Sequence, residues 1–313
     1  MPPSAGRTIS PHGIALPHQV IAGPQGELEQ APMGAYCKRA EELGFGSIWV
    51  SELTTVPIFE PLVLLSHVAA HTEHIRLGVA VILIPLRIPI QFAAQVATLD
   101  RLSGGRLILG VGLGSSTALY AAYGLPVERR VRRYGDALDL VKRLWSGESV
   151  TYAGEWWQLQ KIRILKPIQD PRPPLWFGAR RGRALRRAVE RGDGWVISGS
   201  ASPEEYAKAI NEVQQHLIDL DRDPSGFVIA KRVYITVTNR VVEARRSMAD
   251  WFGEAYGNSH LVDTLALIGN AEQCAEQLVR LRHMGVTNLI LNPVFDADEQ
   301  LEALGAELLP LLR

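Results

Sequence analysis

The chain has 313 residues, 47% of them hydrophobic, which supports a large buried core and excludes a disordered chain. Lysine plus arginine equals aspartate plus glutamate at 33 each, so no charge excess points to nucleic acid or to a membrane surface. The two cysteines, Cys37 and Cys274, sit in no metal-type spacing, no uninterrupted apolar stretch reaches about 18 residues, and residues 1–13 hold no signal-peptide core, so the expectation is a cytoplasmic protein without a membrane span.

Residues 1–10 read as a flexible tail. Gly13 to Leu16 is a short strand candidate closed by Pro17 and His18. A helical pattern over 27–43 stops at Gly44, and Ser47-Ile48-Trp49-Val50 is a second strand, followed by Ser51-Glu52. A helix over 61–72 leads to a third strand, 76–83, which ends at Pro85. The most informative stretch is Gln95 to Ser116. There a helix over 90–102 ends in Ser103-Gly104-Gly105, Arg106 opens the apolar run Leu107 to Val111, and the run exits through Gly112-Leu113-Gly114. An apolar run without polar alternation implies a strand covered on both faces, as in a parallel sheet, and four such strands separated by helices imply an α/β fold.

The alternation then pauses. The segment 120–145 is helical from about Glu128, and 146–174 reads as an inserted hairpin plus a proline-rich connector. Strands resume at Leu175-Trp176-Phe177, Trp195-Val196-Ile197, 227–237 and 286–291, with helices over 182–191, 203–220, 241–256, 271–284 and 298–312. Eight core strands, near residues 14, 48, 79, 109, 176, 196, 233 and 289, predict a (β/α)8 TIM barrel with insertions; a doubly wound sheet is the runner-up.

In a barrel, chemistry sits on the loops after the strands. Those loops carry His18, Glu52, Ala80-Val81, Gly112 to Ser116, Gly178-Ala179-Arg180-Arg181-Gly182, Ser198-Gly199 and Asn292-Pro293. The Gly178–Gly182 loop opens a helix, so its backbone N–H groups are either a phosphate seat or an ordinary helix start. Arginines cluster at 129–133 and at 180–191, as solvated faces or as an anion clamp; the interleaved aromatics of a nucleic-acid surface are missing. His67, His71 and His74 share a helix without the glutamate of a metalloprotease pattern, and no metal site is expected. Gly112-Leu113-Gly114 is not a full dinucleotide fingerprint, and Ser115 lacks the flanks of a nucleophile elbow. Tyr120, Trp156 and Trp157 read either as pocket walls or as packing.

Several segments together resemble the luciferase-like flavin-dependent oxidoreductases, and more closely the branch that uses the deazaflavin coenzyme F420. They are Glu42-Leu43-Gly44-Phe45 with Ser47-Ile48-Trp49-Val50, Arg76-Leu77-Gly78, Gln95 to Gly112, Pro173 to Gly178, Gly192-Asp193-Gly194-Trp195 and Gly285-Val286-Thr287. The resemblance implies a barrel with an insertion after the fourth or seventh strand, a cofactor across its mouth and a homodimer. It places a non-proline cis peptide at Ala80-Val81, behind the cofactor ring. It also places the cofactor phosphate at the Gly178–Gly182 loop; Gly112, Ser115 and Ser198, on other loops after strands, complete the expected cofactor-binding residues. Two family groups are absent: the histidine of an acid–His pair (Glu52 is followed by Leu53) and a glutamate where Ser115 stands. His18 and Glu52 are the acid–base groups left. The implied activity is hydride transfer between F420 and a small organic substrate. The alternatives are an FMN-dependent monooxygenase served by a flavin reductase and oxygen, and a cofactor-binding protein without turnover.

Overall fold

The computed structural model describes residues 10–17, 30–52, 58–114 and 116–312. Strand β1 (Gly13–Ala15), helix α1 (Gln30–Leu43), β2 (Ser47–Val50), α2 (Pro61–His71), β3 (Arg76–Leu83), α3 (Pro89–Leu102) and β4 (Leu107–Gly112) make the first half. Next come α4 (Thr117–Ala122), α5 (Arg130–Leu144) and an antiparallel hairpin of β5 (Val150–Ala153) and β6 (Gln158–Ile162). The second half is β7 (Leu175–Gly178), α6 (Arg183–Arg191), β8 (Gly194–Ile197), α7 (Pro203–Asp219), β9 (Val228–Val237), α8 (Val241–Tyr256), α9 (Val262–Leu265), β10 (Ala266–Gly269), α10 (Ala271–His283), β11 (Asn288–Asn292) and α11 (Ala297–Glu302).

The sheet order β9-β11-β1-β2-β3-β4-β7-β8 closes through β8–β9 into an eight-stranded parallel barrel. The strands are those expected, because each apolar run is buried on both faces, against helices outside and against a lumen cluster inside. The lumen is plugged by Trp49 and Trp176, stacked with ring centroids 4.9 Å apart. Gly78 makes room for that pair, since a Cβ there would lie 2.3 Å from the Trp49 ring. Ala80 and Val81 lie at the edge of this cluster, half-buried.

Two glycine-flanked motifs turn out to be struts. Arg106 donates to the carbonyls of Ala69, Thr72, Ile75 and Ser103 and to the Thr72 hydroxyl, so one guanidinium satisfies the end of α2 and the entry to β3. Asp100, fully buried, accepts from the N–H groups of Ile168 and Gln169 and pins the connector. Asp193 receives both Arg172 Nη atoms and the Leu175 N–H. The 129–133 arginines are also structural: Arg129 and Arg132 pair with Glu155, and Arg133 lies 4.7 Å from the Trp157 ring centroid. They hold the hairpin to α5. Tyr120 is buried and donates to the Leu113 carbonyl.

The structure departs from the sequence reading in four places. The segment before Glu128 contains α4 as well. Strand β10 was not expected; it pairs with the outer half of β9, Tyr234 to Val237, beyond the closed barrel. The last helix does not run evenly over 298–312: after α11 it widens to a π-helix over Ala303–Leu308 and tightens to a 3-10 turn over Leu309–Leu312, where Pro310 has no N–H to give. Of the expected tail, residues 1–9 lie outside the described residues, and Ser10 is anchored, its N–H donating to the Gly44 carbonyl.

Both cysteines are free and buried, and burial pushes their thiols up to about 12. Among the described residues no helix is long and apolar enough to cross a membrane. The His67 and His71 rings lie 4.3 Å apart, tilted by 37°, and among the described residues no group of three or more metal-type side chains converges.

His12 supplies an acid-sensitive point under the barrel. It is 1% exposed, and its Nδ1 accepts from the Leu289 N–H at 3.2 Å while Nε2 has no partner among the described residues. Burial, reinforced by the charge of Arg282, lowers its pKa from 6.5 to about 4. Between those two values the unfolded chain binds more protons than the native one, so stability falls as pH falls through that window. The expected loss is up to about 3 kcal/mol by pH 4. His12→Asn, which keeps an acceptor for Leu289, should flatten that slope in urea melts run at pH 7 and 4.5; an unchanged slope would refute the assignment.

Candidate functional site

Right-handed βα connections bring every loop after a barrel strand to one end. At that end lies a cavity of about 540 Å³. Its wall takes in the ends of β2, β3, β4, β7, β8 and β9 and one face of α8.

The β3 segment of the wall is irregular for a visible reason. Val79 pairs with Leu109 and Ile82 with Val111, so Ala80 and Val81 together face Gly110 as a β-bulge. The Ala80–Val81 peptide is cis, as the resemblance implied. Three glycines accommodate the bulge. A Cβ on Gly110 would lie 2.0 Å from the Val79 carbonyl oxygen, one on Gly112 2.4 Å from Val81, and one on Gly178 2.9 Å from Val81. Both Ala80 and Val81 open into the cavity.

Glu52 also lines the cavity and is 8% exposed. Both of its oxygens are engaged: Oε1 by Arg87 Nη2 and Oε2 by the Leu83 N–H. Arg87 Nη2 also meets Glu60 at 2.8 Å, so the three side chains tie the β2 exit to the end of β3 and the start of α2. His18 and Ser115 lie outside the described residues.

Across the mouth, Gly178, Ala179, Arg180 and Ser198 line the cavity, whereas Arg181 and Gly182 are not part of its wall. Gly182 adopts φ +58° and ψ −136°, a conformation open in practice only to glycine. Its N–H donates to the Glu212 carboxylate at 3.0 Å. Arg180 pairs with Glu205 at 2.8 Å and donates to the Ser200 carbonyl. Beneath this loop the Lys231 ammonium donates to the carbonyls of Ser198 and Ala201; burial, followed by the charge of Arg180, lowers its pKa to about 8.

The sequence reading missed the wall supplied by β9 and α8. Arg232 donates from Nη1 to the Ser51 hydroxyl at 2.7 Å and from Nη2 to Asn292 Oδ1 at 3.2 Å. Ser51 in turn donates to the Ala80 carbonyl at 3.3 Å. Tyr234 packs on Trp251, with centroids 5.1 Å apart, and shares a hydroxyl–hydroxyl hydrogen bond with Tyr256. The available signal was Arg232 and Tyr234 at spacing two, two polar-tipped side chains on one face of an apolar strand.

Comparison with known proteins gives a consistent result. A family model described as luciferase-like monooxygenase matches residues 11–261. A 5,10-methylenetetrahydromethanopterin reductase of Archaeoglobus fulgidus is 25% identical, over 89% of this chain and 95% of that one. The oxygenase component of a flavin-dependent trigonelline monooxygenase of Acinetobacter baylyi is 24% identical, over 86% of this chain and 79% of that one. A solved F420-dependent secondary alcohol dehydrogenase, in complex with an F420-acetone adduct, shares the fold with a TM-score of 0.81 at 18% identity, covering 98% of this chain and 100% of that one.

Proposed function

This chain belongs to the luciferase-like monooxygenase family, and from that premise we propose that it is an oxidoreductase moving a hydride between coenzyme F420 and a small organic substrate. The observation that carries the reading is the mouth cavity, which takes in both the Ala80–Val81 bulge and Arg180. Its lining fits a flat ring with an anionic tail. Ala80 and Val81 offer an apolar bed, and Gly112 and Gly178 leave the space that side chains would fill. Ala179, Arg180 and Ser198, which line the wall, are assigned to the phosphate end; Arg181 and Gly182 stand off the wall, the Gly182 N–H already given to Glu212. When bound, the cofactor supplies the hydride chemistry, and the protein positions it and shields it from water. Glu52, with both oxygens engaged, is assigned to holding the rim rather than to giving a proton.

The likeness to a putative coenzyme F420-dependent oxidoreductase of Mycobacterium tuberculosis, 32% identical over 50% of this chain and 48% of that one, supports F420. The match to the flavin-dependent trigonelline monooxygenase supports the second reading: an FMN-dependent monooxygenase using oxygen and a separate flavin reductase. Titration of the purified protein with F420 and, separately, FMN decides between them. Micromolar F420 binding with weaker FMN is the expected result, and the reverse order selects the monooxygenase. Binding of neither overturns the cofactor site, and binding without turnover on any acceptor selects a carrier role. Arg180→Gln is expected to weaken either cofactor about tenfold while leaving riboflavin, which has no phosphate, unchanged; equal loss for all three refutes the phosphate assignment. A homodimer is part of the same proposal, and light scattering tests it.

A further inference from the structure

The cavity wall is largely apolar and aromatic, yet Arg232 brings a guanidinium into it. A guanidinium has five N–H donors, and among the described residues Arg232 spends one on Ser51 and one on Asn292. Its Nε is buried and has no partner among the described residues. Among the described residues no carboxylate pairs with it, and the acid on the wall, Glu52, is committed to Arg87. A partly desolvated cation without a counter-charge is costly, and a ligand that supplies the charge recovers that cost.

We propose that Arg232 is the substrate-recognition residue of this cavity and that the substrate is an apolar or aromatic molecule carrying one carboxylate. The remaining Nη hydrogens form a planar fork that matches a carboxylate, and Ser51 and Asn292 fix the plane of that fork. Trp251 and the Tyr234–Tyr256 pair provide the surface for the apolar body. The hydrogen-bonded series Arg232–Ser51–Ala80 carbonyl links this seat to the bulge assigned to the cofactor ring, which places the bound acid beside it. The inference rests on the cavity being the reaction site, but not on which cofactor fills it.

The test uses the full chain without cofactor, read by tryptophan fluorescence, since Trp251 stands in the wall. Benzoate and cyclohexanecarboxylate are titrated against their neutral amides, benzamide and cyclohexanecarboxamide, in the parent protein, Arg232→Met and Arg232→Lys. The expected result is a preference of about tenfold or more for the acids in the parent, abolished in Arg232→Met and kept in part by Arg232→Lys. Equal affinity for acid and amide, binding of neither, or a preference that survives Arg232→Met overturns the assignment. F420 and FMN titrations on the same proteins keep the two readings apart. Normal cofactor binding without acid preference overturns only the role of Arg232, and acid preference without cofactor binding overturns only the cofactor. If Arg232→Met loses cofactor binding while acid preference persists in Arg232→Lys and Arg232→Met alike, Arg232 serves the cofactor and the substrate assignment fails.

Discussion

Gly110→Ala should cost about 3 kcal/mol or more and remove cofactor binding in whatever protein still folds. The added methyl would meet the Val79 carbonyl oxygen at 2.0 Å, the Val79 carbonyl carbon at 3.1 Å and Ala80 Cα at 3.3 Å. All three are backbone atoms of the neighbouring strand, so no rotamer change relieves the clash. β3 would have to move away from β4 at the place where Ala80 and Val81 bulge toward the cavity. The ladder that holds the bulge and the bed proposed for the cofactor ring would fail together. Gly104→Ala is the informative comparison. Gly104 has φ +66°, and a methyl added there would meet nothing within 4 Å, so only the left-handed backbone penalises it, by about 1–2 kcal/mol. Denaturant melts of both variants, with a cofactor titration, check the pair. A Gly110→Ala protein within about 1 kcal/mol of the parent would show that β3 yields easily and that the glycine is not required by the bulge.

The barrel was legible because its signals are local. Apolar runs such as Leu107 to Val111, bounded by glycine and separated by helical segments, report double-sided burial without any knowledge of the partner strands. Strand β10 was not legible for the same reason: its apolar residues follow directly on the helix that ends at Leu265, with no break between them, and their partner is the overhang of β9, known only once the barrel has closed. The site divides along the same line. Loops after strands could be named from order alone, which found Glu52, Ala80, Val81, Gly112, Gly178, Ala179, Arg180 and Ser198 on the cavity wall. The same rule also named Arg181 and Gly182, which are not part of the wall, because it gives a loop and not the direction of each side chain. Arg232 escaped because it lies inside a strand and reaches Ser51 across the barrel mouth, a contact between residues 181 apart in sequence. Its neighbour Lys231 points the other way, beneath the Ser198–Ala201 turn, so two adjacent basic residues serve opposite faces of one strand.

Glu52→Ala and Glu52→Gln should separate a rim-holding carboxylate from a proton donor. Removing one member of a buried ion pair leaves the other charge uncompensated, typically at a cost of about 3–5 kcal/mol. Arg87 retains Glu60, whose side chain is 41% exposed and therefore a weaker substitute, so Glu52→Ala belongs near the lower end of that range. The Leu83 N–H would also lose its acceptor at the point where β3 turns into the rim. Cofactor affinity should accordingly fall by tenfold or more in Glu52→Ala, about 1.4 kcal/mol for each factor of ten. Glu52→Gln retains an oxygen for one of the two donors, at the cost of the charge and of the second acceptor, and keeps the shape of the side chain. It should recover most of the cofactor affinity and, with cofactor saturating, turn over within about threefold of the parent, because no proton passes through a carboxylate whose two oxygens are already occupied. The opposite pattern, with Glu52→Gln binding normally but losing turnover by the roughly 100-fold typical of a missing general acid, would make Glu52 the proton donor. Arg87 would then have to release it during the reaction, and the ion pair seen here would be the resting arrangement of a catalytic group.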